Sequence, residues 1–319
     1  MWNKEVSAYT LCAWLVSAVS APVAIAAASC AWPLMLCVGI ACGALCWLVH
    51  ALSDGGCCRV PWVCVLQLGW AVVACGTIAI GAGACWPSGD SYPAVPLVLL
   101  TLAGFSAWDG AERASRVSGV LFWFLALLFA VVLAGGIKDL EPKWMLGLDN
   151  GVGAELVFLL LIPAAATAIP RKTRGVLWAA FLALALFAAV VSFVCAGTLS
   201  PQVAANVPQP FYEYSKSLSL LGVVERFESL VSVALTMGYY SAMSLLLSAA
   251  GHLAETLRQG SGRKGVLFSS ITAGAMVLLE TRIPGLWLAI FAIGFWSVLP
   301  LFVQGVQSVK NTKKNEKKA

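Results

Sequence analysis

Apolar residues fall in long blocks along this chain, and polar residues collect between the blocks. Ten windows read as membrane helices: 8–28, 31–52, 61–84, 92–108, 117–137, 152–170, 175–198, 223–250, 265–281 and 284–307. Crossing a hydrocarbon core of about 30 Å takes ~20 predominantly apolar residues in a helix. The fourth and ninth windows are short, and either also suits a re-entrant segment. The connections are brief. The longest, over 199–222, is expected to be a loop and carries Pro201, Pro208, Pro210, Phe211 and Tyr212. The pattern predicts one transmembrane domain over 1–309 and a basic tail over 310–319, in an all-α chain of ten spans. The first window is expected to be a retained helix rather than a cleaved signal.

Polar residues inside the windows are few and placed in register. The eighth window carries Glu228, Ser232, Thr236, Tyr240, Ser244 and Ser248 at intervals of four, a stripe that drifts slowly round one side of a helix. Such a stripe is expected to face the bundle interior or water, where its groups find partners. Ser229 through Leu247 carry no charge, so Glu228 stands at the mouth of a hydrocarbon span and needs compensation. Arg226 is only two residues away and points to a different helix face. Glu228 is therefore predicted to line the outer vestibule of a central cavity, with Thr236 on the same wall. Gln67, the strongly polar residue of "WVCVLQLGW", contacts either a ligand or a neighbouring helix.

Ten spans divide as five plus five, and an odd number per half gives the halves opposite orientations. The repeats would cover about 8–137 and 152–307. The first window, "YTLCAWLVSAVSAPVAIAAA", and the sixth, "GAELVFLLLIPAAATAIP", each carry a proline about two-thirds of the way along, Pro22 and Pro163. Proline removes a backbone donor and clashes with the preceding turn. The matching positions predict helices broken at Pro22 and Pro163. Ser20, Ala21, Ala164 and Ala165 would then offer backbone contacts to a ligand. Freed N–H groups suit a carboxylate and freed carbonyls an ammonium, which together describe an amino acid. The bland alternative is a pair of ordinary proline kinks.

Composition removes the soluble classes. Hydrophobic residues make up 60% of the chain and charged residues 11%, with a mean hydropathy of +0.88, against about 25% charged in soluble proteins. With ten spans and an inside N-terminus, 15 of the lysines and arginines fall on inside segments and 5 outside, so both termini are expected in the cytoplasm. The tail "KNTKKNEKK" supplies most of the net charge of +5 and is expected to touch anionic lipid rather than nucleic acid. Of the 11 cysteines, Cys42 and Cys46 share a helix face with His50 at spacings of four, an arrangement open to a metal. Cysteine as a small buried hydrophobe accounts for them more simply, and no metal or cofactor is expected. There is no P-loop, HExxH or GxSxG motif, so an enzyme is not expected.

The connection "AWDGAERASR" holds Asp109, Glu112, Arg113 and Arg116, a candidate ion-pair cluster tying the fourth span to the fifth, with any gating role secondary. "DGAERASRVSGVLFWFLALLF" resembles the G-x-E-x-x-x-R stretch of the endospore germination permeases, the B subunits of nutrient germinant receptors in the amino acid–polyamine–organocation superfamily; Gly110, Glu112 and Arg116 fall on it. "KDLEPKWMLGLDNG" is similar to that family's D-x-x-P region at Asp139 and Pro142. "VVERFESL" is similar to its E-R-x-E-S stretch at Glu225, Arg226, Glu228 and Ser229. The resemblance implies a LeuT-like fold of two inverted five-helix repeats with broken helices 1 and 6. It implies an amino-acid germinant bound in a spore inner membrane, with A-type and C-type receptor subunits as partners. The alternative is a free-standing amino-acid or amine transporter coupled to H⁺ or Na⁺ in a bacterial cell membrane.

Overall fold

A computed structural model describes residues 8–28, 30–52, 60–84, 93–141, 174–207, 210–218, 227–281, 283–303 and 305–306. The sixth window lies outside these residues, and with it Pro163, Ala164 and Ala165; Arg226 also lies outside them. The described helices are α1 (Ala8–Ala27), α2 (Trp32–Leu52), α3 (Pro61–Ala84), α4 (Ala94–Ala107), α5 (Ala111–Gly135), α6 (Arg174–Leu199), α7 (Pro201–Asn206), α8 (Pro210–Ser217), α9 (Phe227–Leu257), α10 (Gly262–Leu278) and α11 (Gly285–Ile293). Six helices among the described residues are long and apolar enough to cross a membrane, by length and composition: α1, α3, α5, α6, α9 and the segment Leu286–Val303.

The eighth window becomes α9, the hub of the bundle, which packs against α1, α3, α4, α5 and α10. α1 lies between α9, α6 and α5, and α2 leans on α6. This ranking follows composition. α1 and α9 are rich in Ala, Ser and Gly, which let backbones approach closely where lipid provides no hydrophobic drive between helices. α5 instead shows bulky Val120, Trp123, Phe124 and Leu127 outward and keeps Leu125, Phe129 and Val132 inside.

Three expectations change. α1 runs without interruption from Ala8 to Ala27 with Pro22 inside it, so the helix break expected at Pro22 is absent. Proline deletes one backbone bond, to the Ala18 carbonyl; the flanking turns keep theirs, and neighbouring helices hold the segment in place. The connection over 199–222 is not wholly loop, since it contains α7 and α8. Pro201 takes a first-turn position, where its missing N–H is no loss. Pro210 opens α8, whose Phe211 and Tyr214 are buried. Phe211 meets the Phe129 ring at 5.8 Å. The Tyr214 hydroxyl donates to the Val132 carbonyl at 2.8 Å, and burial pushes its pKa well above the usual tyrosine range. The last window is not one regular helix: α11 passes through a π turn at Gly294–Val298 before resuming an α-helical path.

The ion-pair cluster also differs in its reach. Asp109 pairs with Arg113 and, at 3.0 Å, with Arg263 at the start of α10. Glu112 pairs with Arg116 at 2.6 Å within α5. The cluster therefore ties the α4–α5 turn to α10 as well as to α5.

Candidate functional site

Gly110, Glu112 and Arg116 have a local physical basis. Gly110 caps α5 with φ 100° and ψ 178°, a conformation essentially confined to glycine. Glu112 falls in the first turn, favourable at the positive end of a helix, and reaches Arg116 one turn on. Gly110→Ala is expected to destabilise the protein by about 1–3 kcal/mol. Gly69→Ala is the control, because nothing lies within 4 Å of an added Cβ there. Differential scanning fluorimetry of both variants in detergent checks this; equal melting temperatures would refute it.

The residues singled out on α1 and α9 meet at one seam. The two helices run antiparallel, as two contacts show: the Trp14 indole donates to the Ser244 hydroxyl at 3.2 Å, and Gly238 sits against Ala21. A Cβ built on Gly238 would lie 2.5 Å from the Ala21 Cβ, 3.2 Å from the Ala21 nitrogen and 3.3 Å from the Ser20 hydroxyl. The surface of Ser20 and Ala21 expected to face a ligand is thus closely covered by α9. Ser20 donates to the Ser17 carbonyl at 2.9 Å, and Ser17 donates to the Ser118 carbonyl of α5 at 3.4 Å. Tyr239 of α9 also packs on Gly81 of α3.

The stripe on α9 faces inward as expected. Ser232, Ser244 and Ser248 are buried, and Glu228, Thr236 and Tyr240 are half-buried. Thr236 donates to its own helix at the Ser232 carbonyl, 2.7 Å away. The hydroxyls of Ser118, Ser232 and Ser241 are buried without a hydrogen-bond partner. Each such orphan costs about 1–3 kcal/mol, so buried hydroxyls left without a partner on α5 and α9 call for an explanation. A cavity of about 20 Å³, room for roughly one water, lies beside Pro22 between Ala18, Ile78, Ala242 and Leu246.

Glu228 stands in the first turn of α9, ten residues before Gly238, or about 15 Å along the axis. It therefore sits toward the end of the bundle that holds the α1 C-terminus. Gln67 is not part of this seam. It lies fourteen residues before Gly81, about 21 Å down α3. Its amide nitrogen donates to the Phe295 carbonyl in the π turn at 3.1 Å. One turn on, the Trp70 indole donates to the Leu288 carbonyl at 2.9 Å and meets the Trp296 ring edge-on at 6.0 Å. Of its two alternatives, Gln67 takes the helix contact through its nitrogen, while its oxygen is buried without a partner.

Sequence reasoning missed Gly238, Trp14 and the Gln67–Trp70–Trp296 group. The glycine in "TMGYYS" was a usable signal, being the smallest residue type, set within the polar stripe of its helix. Among the described residues, no three His, Cys, Asp or Glu side chains gather to hold a metal. Cys42 and Cys46 are buried, in keeping with a packing role.

No family model and no curated protein sequence matches the chain. Its backbone is similar to solved structures. One is MhsT in complex with L-phenylalanine, at TM-score 0.64 and 13% identity, covering 94% of this chain and 88% of that one. Another is Mhp1, a nucleobase-cation-symport-1 family transporter, in a closed conformation with bromovinylhydantoin bound, at TM-score 0.63 and 13% identity, covering 92% and 76%. The chain has the LeuT-like polytopic membrane fold that these structures share.

Proposed function

We propose that this protein is a transporter-like membrane protein that binds a small polar solute, an amino acid, beside the α1–α9 seam. The observation that carries the proposal is the set of buried hydroxyls without a hydrogen-bond partner on two helices that pack on α1: Ser118 on α5, and Ser232 and Ser241 on α9. Orphans of this kind are stabilised when a ligand or water supplies their bonds. The solutes named with MhsT and Mhp1, which share only the fold, point to the same size class. Pro163, Ala164 and Ala165 are proposed as the matching contacts from the second half, and Glu228 as the acidic wall of the outer vestibule. The motifs at Gly110–Arg116 and Glu225–Ser229 favour a more specific role: the permease-like subunit of a spore nutrient germinant receptor, working with A-type and C-type subunits. The second possibility, an independent transporter, predicts uptake by this chain alone in proteoliposomes; the receptor role predicts none without the partners.

The direct test is a thermal-shift screen of the purified protein against amino acids, nucleosides and polyamines, with and without Na⁺. A ligand at a hundred times its dissociation constant stabilises the folded state by about 2.7 kcal/mol. One amino acid is expected to raise the melting temperature. Glu228→Gln is expected to weaken its binding about ten-fold while leaving the unliganded melting temperature unchanged. If no amino acid shifts the protein, alone or with the partner subunits, the seam is not a solute site.

A further inference from the structure

A second concavity lies on the flank of the bundle, away from the α1–α9 seam. It is a groove of about 470 Å³ between α4 and α10, walled by Leu97, Thr101, Phe105 and Trp108 on one side and Leu267 and Ile271 on the other. Its bed is low where two glycines come in. A Cβ on Gly104 would stand 2.9 Å from the Ser270 hydroxyl, and one on Gly274 would stand 3.6 Å from Leu97. The rims are exposed: Phe105 is 69% accessible and Ile271 63%. On a chain that crosses a bilayer, such rims face hydrocarbon.

The groove has a polar end and an apolar end. Trp108 adjoins Asp109, and Leu267 follows three residues after Lys264, so the α4–α5 and α9–α10 turns form one mouth. There a single carboxylate, Asp109, is shared by the guanidiniums of Arg113 and Arg263. The two arginine side chains remain 63% and 52% accessible. Lys264 is exposed beside them. Across the two turns Arg113, Arg116, Arg258, Arg263 and Lys264 outnumber Asp109, Glu112 and Glu255 by two, which leaves the mouth positive. From Trp108 to Leu97 is eleven residues, about 16 Å of helix. That is roughly half of a ~30 Å hydrocarbon core, the reach of one leaflet.

We propose that this groove binds an anionic phospholipid of the leaflet facing the α4–α5 and α9–α10 turns. One acyl chain lies on Gly104 and Gly274, and the phosphate sits between Arg263 and Lys264. Length and charge select this occupant. A second transmembrane helix would be seated over only about half its span, and an apolar helix face has no use for clustered cations. Arginine presents several donors to phosphate oxygens, and a basic residue near an anionic lipid surface contributes about 1 kcal/mol.

The test is native mass spectrometry of the purified protein incubated with phosphatidylglycerol or with phosphatidylcholine of the same chains. Phosphatidylglycerol is expected to be retained preferentially, with retention falling about five-fold per cation removed in Lys264→Gln and Arg263→Gln. It should also fall as salt is raised. Thr101→Trp, on the exposed rim, fills the groove and is expected to remove retention of both lipids. Lys264→Gln touches no ion pair among the described residues, so its effect cannot come from misfolding of the cluster. Equal retention of the two lipids, or no change in the three variants, overturns the proposal. A dimer that Thr101→Trp dissociates and that needs no lipid also overturns it, by showing the groove to be a helix–helix seam.

Discussion

Gly238→Leu is expected to prevent the bundle from closing, giving little folded protein after extraction. The reason is local. Even a methyl at position 238 would sit 2.5 Å from the Ala21 Cβ and 3.2 Å from the Ala21 nitrogen. The second contact is backbone, so no rotamer change relieves it, and α1 and α9 must move apart. Overpacking of this kind costs about 1–3 kcal/mol for small additions, and leucine adds three more carbons at the same point. Gly238→Ala should therefore fold with a lowered melting temperature. Adding Ala21→Gly to Gly238→Ala removes the 2.5 Å contact and is expected to recover part of the loss, with a coupling of about 1 kcal/mol or more. A Gly238→Ala protein as stable as the parent, or a double variant with purely additive losses, would show that the seam is not this tight.

The second large effect is expected at Trp14. It is fully buried on α1, and its indole donates to Ser244 across the same seam. In water, truncating such a residue to alanine costs about 3–5 kcal/mol, part transfer and part cavity. In a bilayer the unfolded helices already sit in hydrocarbon, so the transfer part shrinks and lost packing dominates. Trp14→Ala is therefore expected to cost about 3 kcal/mol, read as loss of folded protein in detergent titrations. Trp14→Phe keeps most of the ring contact and loses the bond to Ser244, for about 1 kcal/mol. If the two variants lose the same amount, the hydrogen bond rather than the ring holds the seam.

These two residues show where the sequence was legible and where it was not. The α3 window and helix both span 61–84, because block length and apolarity alone decide such an element. The stripe at Glu228, Ser232, Thr236, Ser244 and Ser248 was visible because period four needs no partner to be recognised. Pro22 misled, since a missing N–H weakens a membrane helix without ending it when neighbours hold both halves. α8 was hidden because Pro210 and the polar Glu213 and Lys216 read as loop, while the burial of Phe211 and Tyr214 depends on α5 and α6. The Gly238–Ala21 contact and the meeting of Gln67 with Phe295 depend on the register between helices more than two hundred residues apart. No local pattern encodes that register.

The shortness of two neighbouring helices has a consequence for the bilayer itself. α4 has 14 residues and α10 has 17, so at ~1.5 Å per residue they reach about 21 and 25 Å. They stand side by side, and an ion cluster pins one end of both. A hydrocarbon core of about 30 Å is mismatched to that flank, a mismatch relieved by local thinning or by snorkelling of the flanking side chains. Elsewhere α9, with 31 residues, is longer than the core is thick. The protein therefore presents an uneven hydrophobic thickness, shorter along one side. That asymmetry favours shorter-chain or more deformable lipids beside α4 and α10, and it makes the membrane's elasticity a variable in any rearrangement of this flank.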